Sequence, residues 1–169
     1  GKFVFSLNKG LNILVGDNEA GKSTIIEAIH LGLTGMLNGK YLKNELTQYI
    51  FNAELISEYI ENLETKKEIP VLPFIRIEIF MSGEDVDEFE GDGNSDKNKV
   101  SGFTLNICFD DRYQNEYENL VRLGGIKTLP IEYYNINWTT FARDDNITPK
   151  TIPIKSALIY SSSNRQQNG

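Results

Sequence analysis

The chain has 169 residues, 40% hydrophobic and 11% aromatic, enough for one domain with a buried core, which excludes a mostly disordered chain. Its formal charge is −7, from 17 basic and 24 acidic residues, which excludes nucleic-acid binding driven by net charge alone, because duplex affinity comes from cations set against phosphates. One cysteine, Cys108, and one histidine, His30, exclude an internal disulfide and a Cys/His zinc site, and no apolar run reaches the roughly 18 residues of a membrane helix.

In chain order, residues 2–7 read as a strand, Asn8-Lys9-Gly10 as a tight turn, and Leu11-Asn12-Ile13-Leu14-Val15 as a short buried strand. Residues 16–22 form a glycine-bounded loop. A helix follows over 23–33, with Ile25, Ile26, Ile29 and Leu33 on one side, weakened by Gly32 and stopped by Gly35. Residues 36–41 read as a loop and 46–51 as an apolar patch. A second helix covers 53–65, with Leu55, Ile56, Tyr59, Ile60 and Leu63 on one face, before Pro70 and Pro73 break the chain. The period then changes to two. Ile75, Ile77 and Ile79 alternate with Arg76 and Glu78 over 74–81, and Phe103, Leu105, Ile107 and Phe109 alternate with Thr104, Asn106 and Cys108. These predict two half-buried antiparallel strands. Between them, 82–100 holds Glu84, Asp85, Asp87, Glu88, Glu90, Asp92 and Asp96, and reads as a long, solvated, mobile loop. A third helix is expected over 112–123, closed by Gly124-Gly125, then a strand over 130–138 and another over 152–160, weakened by Pro153.

One motif carries chemistry. Gly16-Asp17-Asn18-Glu19-Ala20-Gly21-Lys22-Ser23 fits G-x-x-x-x-G-K-[ST], the Walker A pattern, without a departure. Glycines let the backbone curl so that successive N–H groups point at phosphate oxygens, and the helix that follows turns its positive end to the same anion. Lys22 is then the β/γ-phosphate cation and Ser23 the magnesium ligand, with the amides of Asp17 to Thr24 as the cradle. The implied cofactors are ATP and Mg2+. The motif follows an apolar run and opens an amphipathic helix, the context that separates it from an ordinary glycine-rich turn.

The loop filling adds a family. Gly16 to Thr24, followed by Ile25-Ile26-Glu27-Ala28-Ile29 and preceded by Leu11 to Val15, resembles the P-loop of ABC-type ATPase heads of the RecF, SMC and OLD (overcoming lysogenisation defect) group. OLD-family ATP-dependent nucleases look nearest, because a long insertion follows the first helix. The close resemblance covers about residues 9–31. It implies an α/β P-loop NTPase fold, here the N-terminal lobe with an antiparallel β-subdomain. The expected layout is a single, truncated lobe over 1–169: P-loop unit 1–35, helical insertion 36–73, β-subdomain with one helix 74–160. The non-Met start at Gly1 and the polar run 161–169 also point to a piece of a longer protein. The resemblance further implies homodimerisation of heads and a DNA-processing activity (nuclease, repair or phage defence) carried elsewhere in the full protein. Any DNA contact is assigned to the full-length protein, since this stretch is acidic.

Such heads also need a Walker B segment, a signature helix and a Q-loop glutamine. Leu105 to Asp111 has the Walker B outline in Asp110-Asp111, but it alternates as a half-exposed strand where a doubly buried one is required. No LSGG-like signature occurs. Gln166 and Gln167 are the Q-loop candidates, against a plain polar tail. Hydrolysis by this stretch alone is therefore left open. Two alternatives stand beside the ATPase head: a nucleotide-dependent dimerisation module without turnover, and a small-molecule P-loop kinase, which the few scattered arginines disfavour. The remaining features read as structural. His30 is a packed histidine, Cys108 a small packed residue, and Tyr133, Tyr134 and Trp138 strand aromatics rather than a base-stacking platform. Arg143 is a surface or interface arginine, and Lys40, Lys43, Lys66 and Lys67 make no continuous stripe. The acidic loop lacks the glycine and glutamate of a calcium loop. No signal peptide or membrane span is read, and the expected location is the cytoplasm.

Overall fold

A computed structural model describes residues 2–17, 21–65 and 69–159. Four helices are α1 (Lys22–Thr34), α2 (Leu42–Glu45), α3 (Ala53–Thr65) and α4 (Gln114–Leu123), and six strands are β1 (Met36–Leu37), β2 (Lys40–Tyr41), β3 (Ile75–Phe80), β4 (Glu90–Gly91), β5 (Val100–Phe109) and β6 (Tyr134–Thr140). The fold class is α/β with antiparallel sheets.

The organising element is β5. It pairs antiparallel with β3, from Ile75↔Ile107 to Phe80↔Gly102, and with β6, from Phe103↔Thr140 to Phe109↔Tyr134. This register stacks Ile75, Ile77 and Ile79 beside Ile107, Leu105 and Phe103, and these beside Ile136 and Trp138, on one face. Alternation has put these large apolar side chains on that face, where α1 packs against β3, while Phe80 lies on the other and meets Phe141 edge-on at 5.0 Å. Gly32, in the interior of α1, is where helix and sheet come closest: a Cβ there would lie 2.7 Å from Ile79 Cδ1. Two clusters make up the core. One joins Leu31, Leu42, Phe51, Tyr59, Leu105, Ile107, Tyr117 and Leu129, and the other Leu33, Met81, Val86, Phe89, Phe103 and Ile152. The helix α1 feeds both, through Leu31 and Leu33.

Local chemistry explains the elements. Asn52 Oδ1 accepts from the amides of Glu54 (2.8 Å) and Leu55 (3.2 Å), which caps α3. The Tyr59 hydroxyl of α3 meets the Tyr117 hydroxyl of α4 at 2.9 Å, both rings 2% exposed. Burial pushes both phenols above their ordinary range. Residues 36–41, expected as a loop, form the β1–β2 hairpin. Asn38 and Gly39 both take positive φ, 51° and 76°, the Asn-Gly pair that a type I′ two-residue turn demands.

Four further expectations fail. Residues 2–7 and 11–15 form no strand: Leu11 is 87% and Val15 89% exposed. Alternating apolar side chains supply one requirement of a strand, and a hydrogen-bonded neighbour the other; among the described residues none pairs with them. The parallel portion expected of a P-loop core is accordingly absent from the described pairings, all of which are antiparallel. Residues 82–100 are no loose loop. They contain a helical turn at Asp87–Phe89 and the strand β4, paired with Val100 and Ser101. Residues 152–159 stay irregular, although Ile152 is fully buried.

Candidate functional site

The glycine-bounded loop lies at the N-terminus of α1. Gly21 has φ 76°, ψ 12° and precedes the first helical residue, Lys22. That left-handed conformation suits glycine, and it turns the chain from loop into helix in one residue. The first helical bond is Ile25 N–H to Gly21 O at 3.0 Å, so the amides of the first turn before it have no intrahelical acceptor. The Lys22 side chain bends back over the loop: its ammonium donates to Gly16 O at 2.6 Å and also to Asp17 O. A cation therefore sits on the inner side of the loop, beside a helix N-terminus.

Next to it is a cleft of about 470 Å3, lined by Lys22 and Ser23, by Ile26 and Ile29 of α1, and by Phe5 and Ile13 of the amino-terminal segment. Ser23 is exposed and its hydroxyl is free to meet a ligand. Asn12 knots the turn on the far wall. Its side chain accepts from Asn8 N–H at 2.8 Å and donates to Asn8 O at 2.8 Å and Gly10 O at 3.1 Å. Of the site residues singled out from sequence, Lys22 and Ser23 line the cleft, Gly16 and Asp17 meet the Lys22 ammonium through their carbonyls, and Gly21 and Thr24 flank that pair in the chain, whereas Asn18, Glu19 and Ala20 lie outside the described residues, as do Gln166 and Gln167. Among the described residues no group of three or more His, Cys, Asp or Glu side chains could hold a metal.

Asp110 and Asp111 are not part of this site. They follow β5, which is antiparallel to β3, β4 and β6 alike, and Asp110 is occupied. Arg112 grips it with Nη2 at 2.6 Å and Nε at 3.0 Å from both oxygens, and its carboxylate also accepts from the Arg112 amide at 3.1 Å. The Arg112 hydrogen bonds hold the Asp110 carboxyl below the usual carboxylate range. It is the cap of a helical turn.

The other singled-out residues have structural partners. His30 Nδ1 lies 3.0 Å from Ser156 Oγ. Tyr134 donates to Pro73 O at 2.7 Å and meets Phe51 edge-on at 5.5 Å, while Tyr133 stacks on Tyr113 at 5.3 Å. Arg143 pairs with Asp92 at 2.5 Å. Cys108 is half-buried, and desolvation pushes its thiol up, away from reactivity.

A family model for the AAA domain matches residues 1–168. The chain belongs to the AAA domain family. Members are nucleotide-binding ATPases that use ATP with magnesium, and the glycine-bounded loop with Lys22 lies inside the matched span. No curated protein and no solved structure matches the chain. None of the helices among the described residues is long and apolar enough to cross a membrane.

Proposed function

We propose that this chain binds ATP–Mg2+ through residues Gly16 to Thr24, as the N-terminal lobe of an ABC-type ATPase head of the RecF, SMC and OLD group. The observation that carries the reading is the Lys22 ammonium, bent over the carbonyls of Gly16 and Asp17 at the open N-terminus of α1. The donor set fits a triphosphate: a lysine for the β/γ oxygens and first-turn amides with no intrahelical acceptor. It also fits magnesium rather than a metal held by the protein alone. Ser23 offers one hydroxyl, no carboxylate cluster stands by among the described residues, and magnesium commonly takes its remaining ligands from phosphate and water.

In this reading Lys22 neutralises phosphate charge, Ser23 holds the metal and the Asp17 to Thr24 amides cradle the phosphates. Bound ATP supplies the γ-phosphate whose presence or loss switches the head. A downstream acidic pair and the signature helix of a second head complete hydrolysis, and ATP-driven head dimerisation gates a DNA-processing activity in the full protein. The layout is a P-loop unit over 1–35, a helical insertion over 36–73 and a β-subdomain over 74–160, in a cytoplasmic protein. A nuclease of the OLD type is the finest form of the proposal, and it rests on the loop filling of residues 9–31.

The test uses the full-length protein with ATP, a slowly hydrolysed analogue, and ADP. Sedimentation is expected to show dimers with ATP or the analogue and monomers with ADP, and phosphate release is expected to depend on Lys22. Dimers without turnover favour the dimerisation module. Turnover only with an added small-molecule acceptor favours a kinase and overturns the head reading.

A further inference from the structure

A second cleft shares no lining residue with the one beside Lys22. It measures about 710 Å3 and opens between the end of α1, the β1–β2 hairpin, β6 and residues 148–156. Its floor is apolar, built from Leu33, Met36, Ile136, Trp138 and Ile154. It is also pre-formed. Trp138 Nε1–H donates to Gly32 O at 2.8 Å, which fixes the indole. At Gly35 a Cβ would lie 3.2 Å from Trp138 Cη2 and 3.3 Å from Pro149 Cγ, so this wall is packed to contact.

The rim carries one sign of charge. Lys43, Lys150 and Lys155 line the cleft, and no carboxylate among the described residues does. None of the three enters an ion pair among the described residues. The Lys155 ammonium is held at the edge by Ile152 O at 3.1 Å and Lys150 O at 3.4 Å. In a chain of charge −7, this is a local cationic ring around an apolar floor.

We propose that this cleft docks an acidic amphipathic peptide segment of a partner protein, with large apolar side chains on the Trp138 floor and carboxylates against Lys43, Lys150 and Lys155. Charge complementarity selects this occupant. A concave apolar patch takes the anchors of a helix face spaced at i, i+3 and i+4. The cations reward flanking carboxylates and steer their approach. A nucleic-acid strand fits less well: its affinity grows with each phosphate neutralised, and beyond the three lysines it meets a negative protein. The proposal is independent of nucleotide binding.

Trp138 is the chain's one tryptophan, so its emission reports on the cleft directly. The probes are a short synthetic helical peptide of leucines at i, i+3 and i+4 with glutamates elsewhere, its lysine-for-glutamate counterpart, octanoate, and a single-stranded oligonucleotide. The acidic peptide is expected to shift Trp138 emission saturably. The variant Lys43→Glu/Lys150→Glu/Lys155→Glu is expected to bind it at least about tenfold more weakly, since it turns three attractive contacts into repulsive ones. Its thermal transition should stay close to that of the wild type, since among the described residues none of the three lysines enters an ion pair and only Lys155 gives up hydrogen bonds, to Lys150 O and Ile152 O. An Ile154→Glu variant, carrying a charge on the exposed part of the floor, should lose the peptide while the thermal transition is kept. The proposal is overturned if the lysine counterpart binds as tightly, if charge reversal leaves affinity unchanged, or if octanoate or the oligonucleotide displaces the peptide at lower concentration.

Discussion

Residues 82–100 and residues 2–15 contrast in an instructive way. The first stretch carries seven carboxylates within 84–96, yet Val86 and Phe89 are 6% and 5% exposed. The second alternates Phe3, Phe5, Leu7, Leu11, Ile13 and Val15, all of them exposed. Hydrophobic content therefore does not decide which stretch is built in; neighbours do. The ends of 82–100 are held by the β3–β5 ladder, with Met81 N–H on Ser101 O at 2.9 Å. Its middle is tied by Gly93 N–H to Phe141 O at 2.9 Å, by Asn94 Nδ2 to Asn98 O at 2.7 Å and by Ser95 Oγ to Glu78 at 2.7 Å. The carboxylates then face water, and several meet cations: Glu90 meets Lys99, Asp92 meets Arg143 and Asp96 meets Lys2. The amino-terminal stretch has side chains suited to a sheet and, among the described residues, no strand beside it.

The contrast breaks most sharply at Gly91. A Cβ there would lie 2.0 Å from Phe141 O and 2.3 Å from Phe141 C, both main-chain atoms that cannot swing away. Gly91→Ala is expected to destabilise the fold by about 3 kcal/mol or more, seen as a lower urea midpoint. The shared core gives a middle-sized effect. Tyr59→Phe leaves the buried Tyr117 hydroxyl without its partner and is expected to cost about 1–3 kcal/mol. Adding Tyr117→Phe should then cost less than a second such loss, because both polar atoms are gone; a double-mutant cycle with strictly additive losses would contradict the pairing. The smallest effect belongs to the exposed stretch: Val15→Ser should move stability by no more than about 0.5 kcal/mol, and a loss of several times that would place Val15 in a packed strand.

Legibility in the sequence followed the range of the contacts. The helix over 53–65 was readable to the residue, because its cap Asn52 and its apolar spacing are local. The two alternating strands and the helix after Gly21 were readable to within a few residues at each end, for the same reason. The hairpin carries its turn signal in Asn38-Gly39, between flanks of only two paired residues each. The ordering of 82–100 was not readable, since it depends on Phe141, distant in sequence, meeting Gly91 and Gly93. Nor was the second cleft, whose cations Lys43, Lys150 and Lys155 come together only when the hairpin, β6 and the 148–156 segment do. The exposure of residues 11–15 was set by pairing, which no local pattern encodes.

The most direct measurement on the central claim is a calorimetric titration of this chain with a slowly hydrolysed ATP analogue, with and without magnesium, beside Lys22→Ala. Magnesium-dependent binding by the wild type, lost in Lys22→Ala, is the result the account predicts. Equal binding by the variant, or binding indifferent to magnesium, would contradict a phosphate site built on Lys22 and Ser23.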